Sequence, residues 1–123
     1  MFIDGKWIKA QNGETFDVFN PATGEVIAQV PDGTNKDVCL AIEAADKAFP
    51  VWSSLTAYQR SQVLYSVWKI MMDKKEDLAR IMTTEQGKPL VAARNEVQYG
   101  ADFLLWFAEE AKRVYGQTIP SAR

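Results

Sequence analysis

The apolar residues of this chain change their period once, at Pro31-Asp32-Gly33, and that change limits the fold to strands first and helices after. Before it, residues 1–31 carry short alternating runs punctuated by turn residues. Phe2-Ile3 and Trp7-Ile8 flank Asp4-Gly5, a pair suited to a two-residue hairpin turn with both residues at positive φ. Gln11-Asn12-Gly13-Glu14 reads as a second turn and leads into an alternating run through Phe16 and Val18. Asn20-Pro21-Ala22-Thr23-Gly24-Glu25 reads as a third, with Pro21 fixing its own φ and Gly24 free to turn left-handed. Val26 to Val30 is the next strand, so this region is expected to form a small β meander.

After the change, residues 34–116 read as three main helices. Thr34-Asn35-Lys36-Asp37 and Thr56-Ala57-Tyr58-Gln59 both match the capping box, in which a hydroxyl and a side-chain oxygen three residues apart satisfy free backbone N–H groups. The first helix places Val38, Ala41, Ile42, Ala45, Ala48 and Phe49 at helical spacing, and Pro50 is expected to stop it. The second places Val63, Leu64, Val67, Trp68 and Met71 on one face. Asp73-Lys74-Lys75 should interrupt it, with a shorter stretch carrying Leu78, Ile81 and Met82 restarting at Glu76 and ending at Gly87. Pro89 suits the first turn of a third helix, with Val97, Ala101, Leu104, Leu105, Ala108, Ala111 and Val114 inward and Gly116 as its C-cap. Residues 117–123 read as an extended tail.

Composition narrows the function classes. The chain has 123 residues, 47% of them apolar and 24% charged, and its net charge of −2 is interspersed, so it reads as a globular domain without a nucleic-acid surface. Neither a membrane span nor a secretory leader is visible in its 123 residues, and a single cysteine fits a reducing, cytoplasmic setting. Histidine is absent, which removes the commonest general base and metal ligand.

The remaining candidates for chemistry have simpler structural readings. Cys39 has no histidine to activate it, and its place between Val38 and Leu40 suits a small buried residue. Glu109-Glu110, followed by Lys112 and Arg113, reads as a solvated, ion-paired helix face. Glu85-Gln86-Gly87-Lys88-Pro89 lacks the second glycine and the hydroxyl of a phosphate loop, and one helix ending before another accounts for it. Tyr99, Phe103, Trp106 and Phe107 recur at helical spacing; such a stripe is core in most proteins and lines a ligand cavity in a minority. Spacing and composition give no catalytic constellation.

Several stretches resemble the opening of the NAD(P)-dependent aldehyde dehydrogenases. They are Phe2-Ile3-Asp4-Gly5-Lys6-Trp7, the turn and strand Phe19 to Ile27, Ala44 to Trp52 with Arg60 after it, and Thr84-Glu85-Gln86-Gly87-Lys88-Pro89-Leu90. The segment Tyr99 to Gly116, with Trp106-Phe107-Ala108-Glu109-Glu110 at its centre, is similar to the succinate-semialdehyde dehydrogenase branch. The resemblance implies an α/β fold, with these residues starting the cofactor-binding domain of a longer, oligomeric enzyme. It also implies oxidation of an aldehyde, with succinate semialdehyde as the expected substrate, through a cysteine thiohemiacetal, with hydride passing to NAD or NADP.

The same resemblance places the cofactor-binding turn, the general-base glutamate and the nucleophilic cysteine beyond Arg123, so no catalytic or cofactor-binding residue is expected here. The chain is expected to be an inactive N-terminal fragment that binds no cofactor and self-associates. The rival readings are a non-catalytic assembly partner of another dehydrogenase chain and an unrelated helical binding module. Position by position, the resemblance assigns Tyr99, Phe103 and Trp106 to a wall of the aldehyde tunnel. It assigns Val18, Phe19 and Glu85 to a structural monovalent cation.

Overall fold

The computed structural model describes residues 1–121; Ala122 and Arg123, the end of the expected tail, lie outside the described residues. The strands come first, as two antiparallel hairpins: β1 (Phe2–Ile3) with β2 (Lys6–Trp7), and β3 (Thr15–Phe19) with β4 (Val26–Pro31). Asp4 at φ 51° and Gly5 at φ 74° make the expected hairpin turn. The turn between β3 and β4 is built by Asn20, whose side-chain oxygen accepts the Ala22 N–H at 2.9 Å and whose carbonyl accepts the Gly24 N–H at 2.8 Å. No ladder joins the two hairpins among the described residues, so the meander consists of two separate two-stranded sheets.

Four helices follow: α1 (Asn35–Ser54), α2 (Ala57–Asp73), α3 (Lys75–Gln86) and α4 (Leu90–Glu110), with a short 3-10 turn over Ala111–Arg113. The shorter stretch restarting near Glu76 is therefore a helix in its own right. Both capping boxes start their helices. The Asp37 carboxylate accepts the Thr34 N–H at 2.8 Å, and Gln59 Oε1 accepts the Thr56 N–H at 2.8 Å.

Two expected boundaries are wrong. Pro50 does not stop α1, which continues through it to Ser54. Proline costs an interior helix one hydrogen bond and crowds the preceding turn. Here it sits in the last turn and a half of an exposed helix, where Ser53 and Ser54 donate their hydroxyls to the Pro50 and Val51 carbonyls at 3.2 and 2.8 Å. At the other end, Gly116 is no C-cap: α4 stops at Glu110, Val114 is 82% exposed, and Gly116 lacks a left-handed φ. Pro89 stands just before α4, at φ −54° and ψ 134°.

The centre of the molecule is made of small side chains. α2 and α3 both pack on α4, and Ala79, Ala93 and Val97 form a buried cluster flanked by Leu78, Met82 and Leu90. Ala101 and Ala108 extend this inner face of α4. Ser61, Leu64, Trp68 and Met71 are the less exposed face of α2, while Val63 and Val67, expected on that face, are more than a third exposed. Glu76 on α3 takes a bidentate pair from Arg94 on α4, both contacts at 2.8 Å.

α1 is covered differently. Its Ala41, Ala44, Ala45 and Ala48 face the first hairpin at Phe2, Ile3 and Gly5, while Val38, Ile42 and Phe49 stay exposed. Cys39 is exposed too, not buried as expected. The total accessible surface is 9686 Å², against about 6,600 Å² for a compact monomer of 13.8 kDa.

Candidate functional site

α4 has an unusual outer face. Between Val97 and Ala108, Tyr99, Phe103, Trp106 and Phe107 point away from the alanine-lined inner face and into solvent, with Trp106 62% exposed. The Tyr99 and Phe103 rings meet edge to face with centroids 4.8 Å apart, and Phe103 stacks on Phe107 at 6.5 Å and 14°. With Asp102 these four line an open groove of about 320 Å³. The aromatic stripe is thus not core among the described residues; it is one wall of an open groove.

Periodicity located the rings but missed the polar member. Asp102 shares their face, and its carboxylate accepts from Gln98 Nε2 at 2.8 Å. Gln98 Oε1 in turn accepts from Lys75 Nζ at 2.9 Å, so a lysine at the start of α3 fixes the amide that holds Asp102. The i, i+4 spacing of Gln98 and Asp102 is the only sequence signal for this link.

A second locus lies where α3 ends. Gly87 adopts φ 70° and donates its N–H to the Thr83 carbonyl at 2.9 Å. A Cβ there would stand 3.1 Å from Pro21 Cγ, so the C-terminus of α3 lies directly against the Asn20–Gly24 turn. Glu85 lies two residues before this contact, and Val18 and Phe19 three and two residues before Pro21, at an irregularity in the β3–β4 register. Lys88 pairs with Glu96 on α4, and Gly87-Lys88 lies between the end of α3 and the start of α4. Arg113 pairs with Glu110 at 2.6 Å, as expected of a solvated charged face.

The most tightly held carboxylate belongs to neither. Asp37 is 2% exposed and accepts the Thr34 hydroxyl at 2.7 Å and the Gln11 N–H at 3.1 Å. The Thr34 N–H, then its hydroxyl, hold the carboxyl below the usual range against the opposing effect of burial, with the Gln11 N–H adding to them. Its role is to tie the loop after the first hairpin to the start of α1. Among the described residues no group of three or more Cys, Asp or Glu side chains gathers as a metal site.

Residues 7–123 match the profile described as the aldehyde dehydrogenase family. The chain belongs to that family. It is 56% identical over 119 residues to a glutarate-semialdehyde dehydrogenase of Pseudomonas putida KT2440, covering 97% of this chain and 25% of that protein. An NADP(+) succinate-semialdehyde dehydrogenase of Escherichia coli K12 is 49% identical, with 96% and 24% covered. Among solved structures, an NADP-dependent enzyme of Escherichia coli superposes with a TM-score of 0.97 at 48% identity, over 99% of this chain and 25% of that one. A succinate-semialdehyde dehydrogenase of Burkholderia pseudomallei gives 0.96 at 44%, with 99% and 25% covered. The chain therefore spans about a quarter of the length of the aldehyde dehydrogenases it matches, and its α/β assignment follows from theirs.

Proposed function

We propose that this chain is the N-terminal portion of an NAD(P)-dependent aldehyde dehydrogenase that oxidises a short semialdehyde, succinate semialdehyde or its one-carbon-longer homologue, to the dicarboxylate. The observation that carries this reading is the α4 wall: four aromatic rings of a family member exposed together around an open groove. Tyr99, Phe103 and Trp106 would line the aldehyde's path, excluding water and packing against its methylene chain. Asp102 would repel the substrate's carboxylate from this wall, so the cation that reads that carboxylate belongs to another part of the enzyme. The substrate class is supported by the names of the relatives, two of which act on semialdehydes of this kind. The cofactor would supply the hydride acceptor, and nothing on α1–α4 is assigned to holding it.

Val18, Phe19 and Glu85 suit a structural monovalent cation by their donor chemistry: two backbone carbonyls and a carboxylate, all hard oxygens, at the corner where α3 meets the Asn20–Gly24 turn. Such an ion would bind the second hairpin to α3. No helix among the described residues is long and apolar enough to cross a membrane, in keeping with a cytosolic enzyme.

Two assays test the proposal. Purified 123-residue chain, given semialdehyde with NAD or NADP, should show no turnover; measurable turnover would overturn the assignment of catalysis to other residues. A chimera in which these residues replace the matching part of the Escherichia coli enzyme should oxidise succinate semialdehyde with NADP. A folded but inactive chimera would overturn the family function for this chain.

A further inference from the structure

We infer that the α4 groove seats a positively charged tail, so that aldehydes ending in a quaternary ammonium group are a further substrate class, with Asp102 as the specificity-determining residue. The inference rests on the aldehyde path proposed above and extends it from carboxylate-tailed to cation-tailed aldehydes. Its first ground is what the groove offers a ligand. Four of its lining residues are the rings of Tyr99, Phe103, Trp106 and Phe107, and Asp102 is the one carboxylate among them. The face of an aromatic ring attracts cations, tryptophan most strongly, and groups of rings recognise quaternary ammonium ligands. Asp102 stands three residues after Tyr99 and four before Trp106, so these side chains are neighbours on one stripe of the helix. A cation beside the carboxylate therefore also meets ring faces. Trp106 is 62% exposed and meets no other ring among the described residues, which leaves its indole open to a ligand.

The second ground is that the negative charge is held in place and left uncompensated. Gln98 Nε2 donates to Asp102 Oδ1 at 2.8 Å, while Gln98 Oε1 accepts from Lys75 Nζ at 2.9 Å. The amide thus fixes the carboxylate and keeps the lysine at its own far end. Among the described residues no salt bridge includes Asp102, and the nearby cations of α4 and its junctions are engaged elsewhere, Arg113 with Glu110 and Lys88 with Glu96. Gln98 is accordingly a positioning residue for the charge that Asp102 presents.

The third ground selects the kind of cation. A primary ammonium carries three N–H donors, each needing an acceptor once it leaves water. The groove supplies only the Asp102 carboxylate, one oxygen of which already accepts from Gln98. A trimethylammonium group has no donor to satisfy, and its methyl groups pack on the rings. A carboxylate tail is repelled by Asp102, a neutral tail gains burial alone, and a quaternary ammonium tail gains burial, the ring faces and the opposite charge together. The reaction itself is unchanged: the aldehyde gives hydride to NAD or NADP, takes an oxygen from water and releases a proton, and the ammonium group leaves as it came.

The test uses the chimera in which these residues replace the matching part of the Escherichia coli enzyme. It is assayed with NADP on succinate semialdehyde, on butanal bearing a terminal trimethylammonium group, and on the neutral isostere with a tert-butyl group in that place. The cationic aldehyde is expected to show the higher kcat/KM of the last two. Asp102→Asn keeps an oxygen to accept from Gln98 and removes the charge. It should cut the preference for the cationic aldehyde over its isostere about fivefold or more, chiefly through KM, and shift the balance towards succinate semialdehyde. Trp106→Leu should lower the same preference, since it removes a ring face and keeps an apolar lining. A chimera that favours the neutral isostere, or a preference that is the same in Asp102→Asn, would overturn this inference while activity on succinate semialdehyde leaves the proposed function standing. A folded chimera inactive on all three aldehydes removes the function on which the inference rests.

Discussion

Asp37 is a charged side chain with almost no exposed surface, and the N–H and O–H groups of Thr34 and Gln11 explain how it stays charged. Its carboxyl is held below the usual value of about 3.9, so the folded state binds its proton less readily than the unfolded state does. The stability it contributes is complete above that usual value and is lost as pH falls through it towards the lowered folded value. Glu76 is shifted in the same direction, first by its hydrogen bonds from Arg94, and adds to the trend. Asp37→Asn should therefore lower the melting temperature at pH 7 and flatten its dependence on pH below about 4. Thermal melts between pH 3 and pH 7 would check this, and an unchanged acid limb in the variant would show that Asp37 is not the group responsible.

The α3–α4 junction shows which turn residues matter. Gly87 needs its positive φ and touches Pro21, whereas Gly116 has open space around its Cα and no left-handed conformation. Gly87→Ala should destabilise the chain by about 1 kcal/mol or more, and Gly116→Ala should leave it within about 0.5 kcal/mol of the parent. Urea unfolding of both variants measures the contrast; equal effects would contradict it.

Local signals of this kind were legible in the sequence. Both capping boxes, the Asp4-Gly5 hairpin and the Gly87 stop depend on residues within three or four positions of one another. Signals that depend on what packs across were not. Cys39 and Phe49 carry a core-like pattern yet face solvent, and helical spacing, which placed Ala101 and Ala108 inward, did not show that the aromatic stripe of α4 would face solvent. The inner face packs on both α2 and α3, where small side chains allow close approach. Gln98 and Lys75, which fix Asp102, come together only through that packing.

At the scale of the whole molecule, the chain is a small-residue helical centre carrying two hairpins and wide apolar faces. Phe2, Trp7, Phe49, Phe103, Trp106 and Phe107 are all about half exposed or more. Ordinary soluble monomers keep such patches to a few hundred Å². This aldehyde dehydrogenase quarter therefore has the surface of an interior, and its behaviour alone in water should show it. Sedimentation velocity of the purified chain over a range of concentrations, followed by thermal unfolding of the same samples, measures this directly. Association that grows with concentration, with a low or poorly cooperative melt, is the result predicted. A monodisperse monomer at every concentration with a sharp, high melting transition would contradict the account.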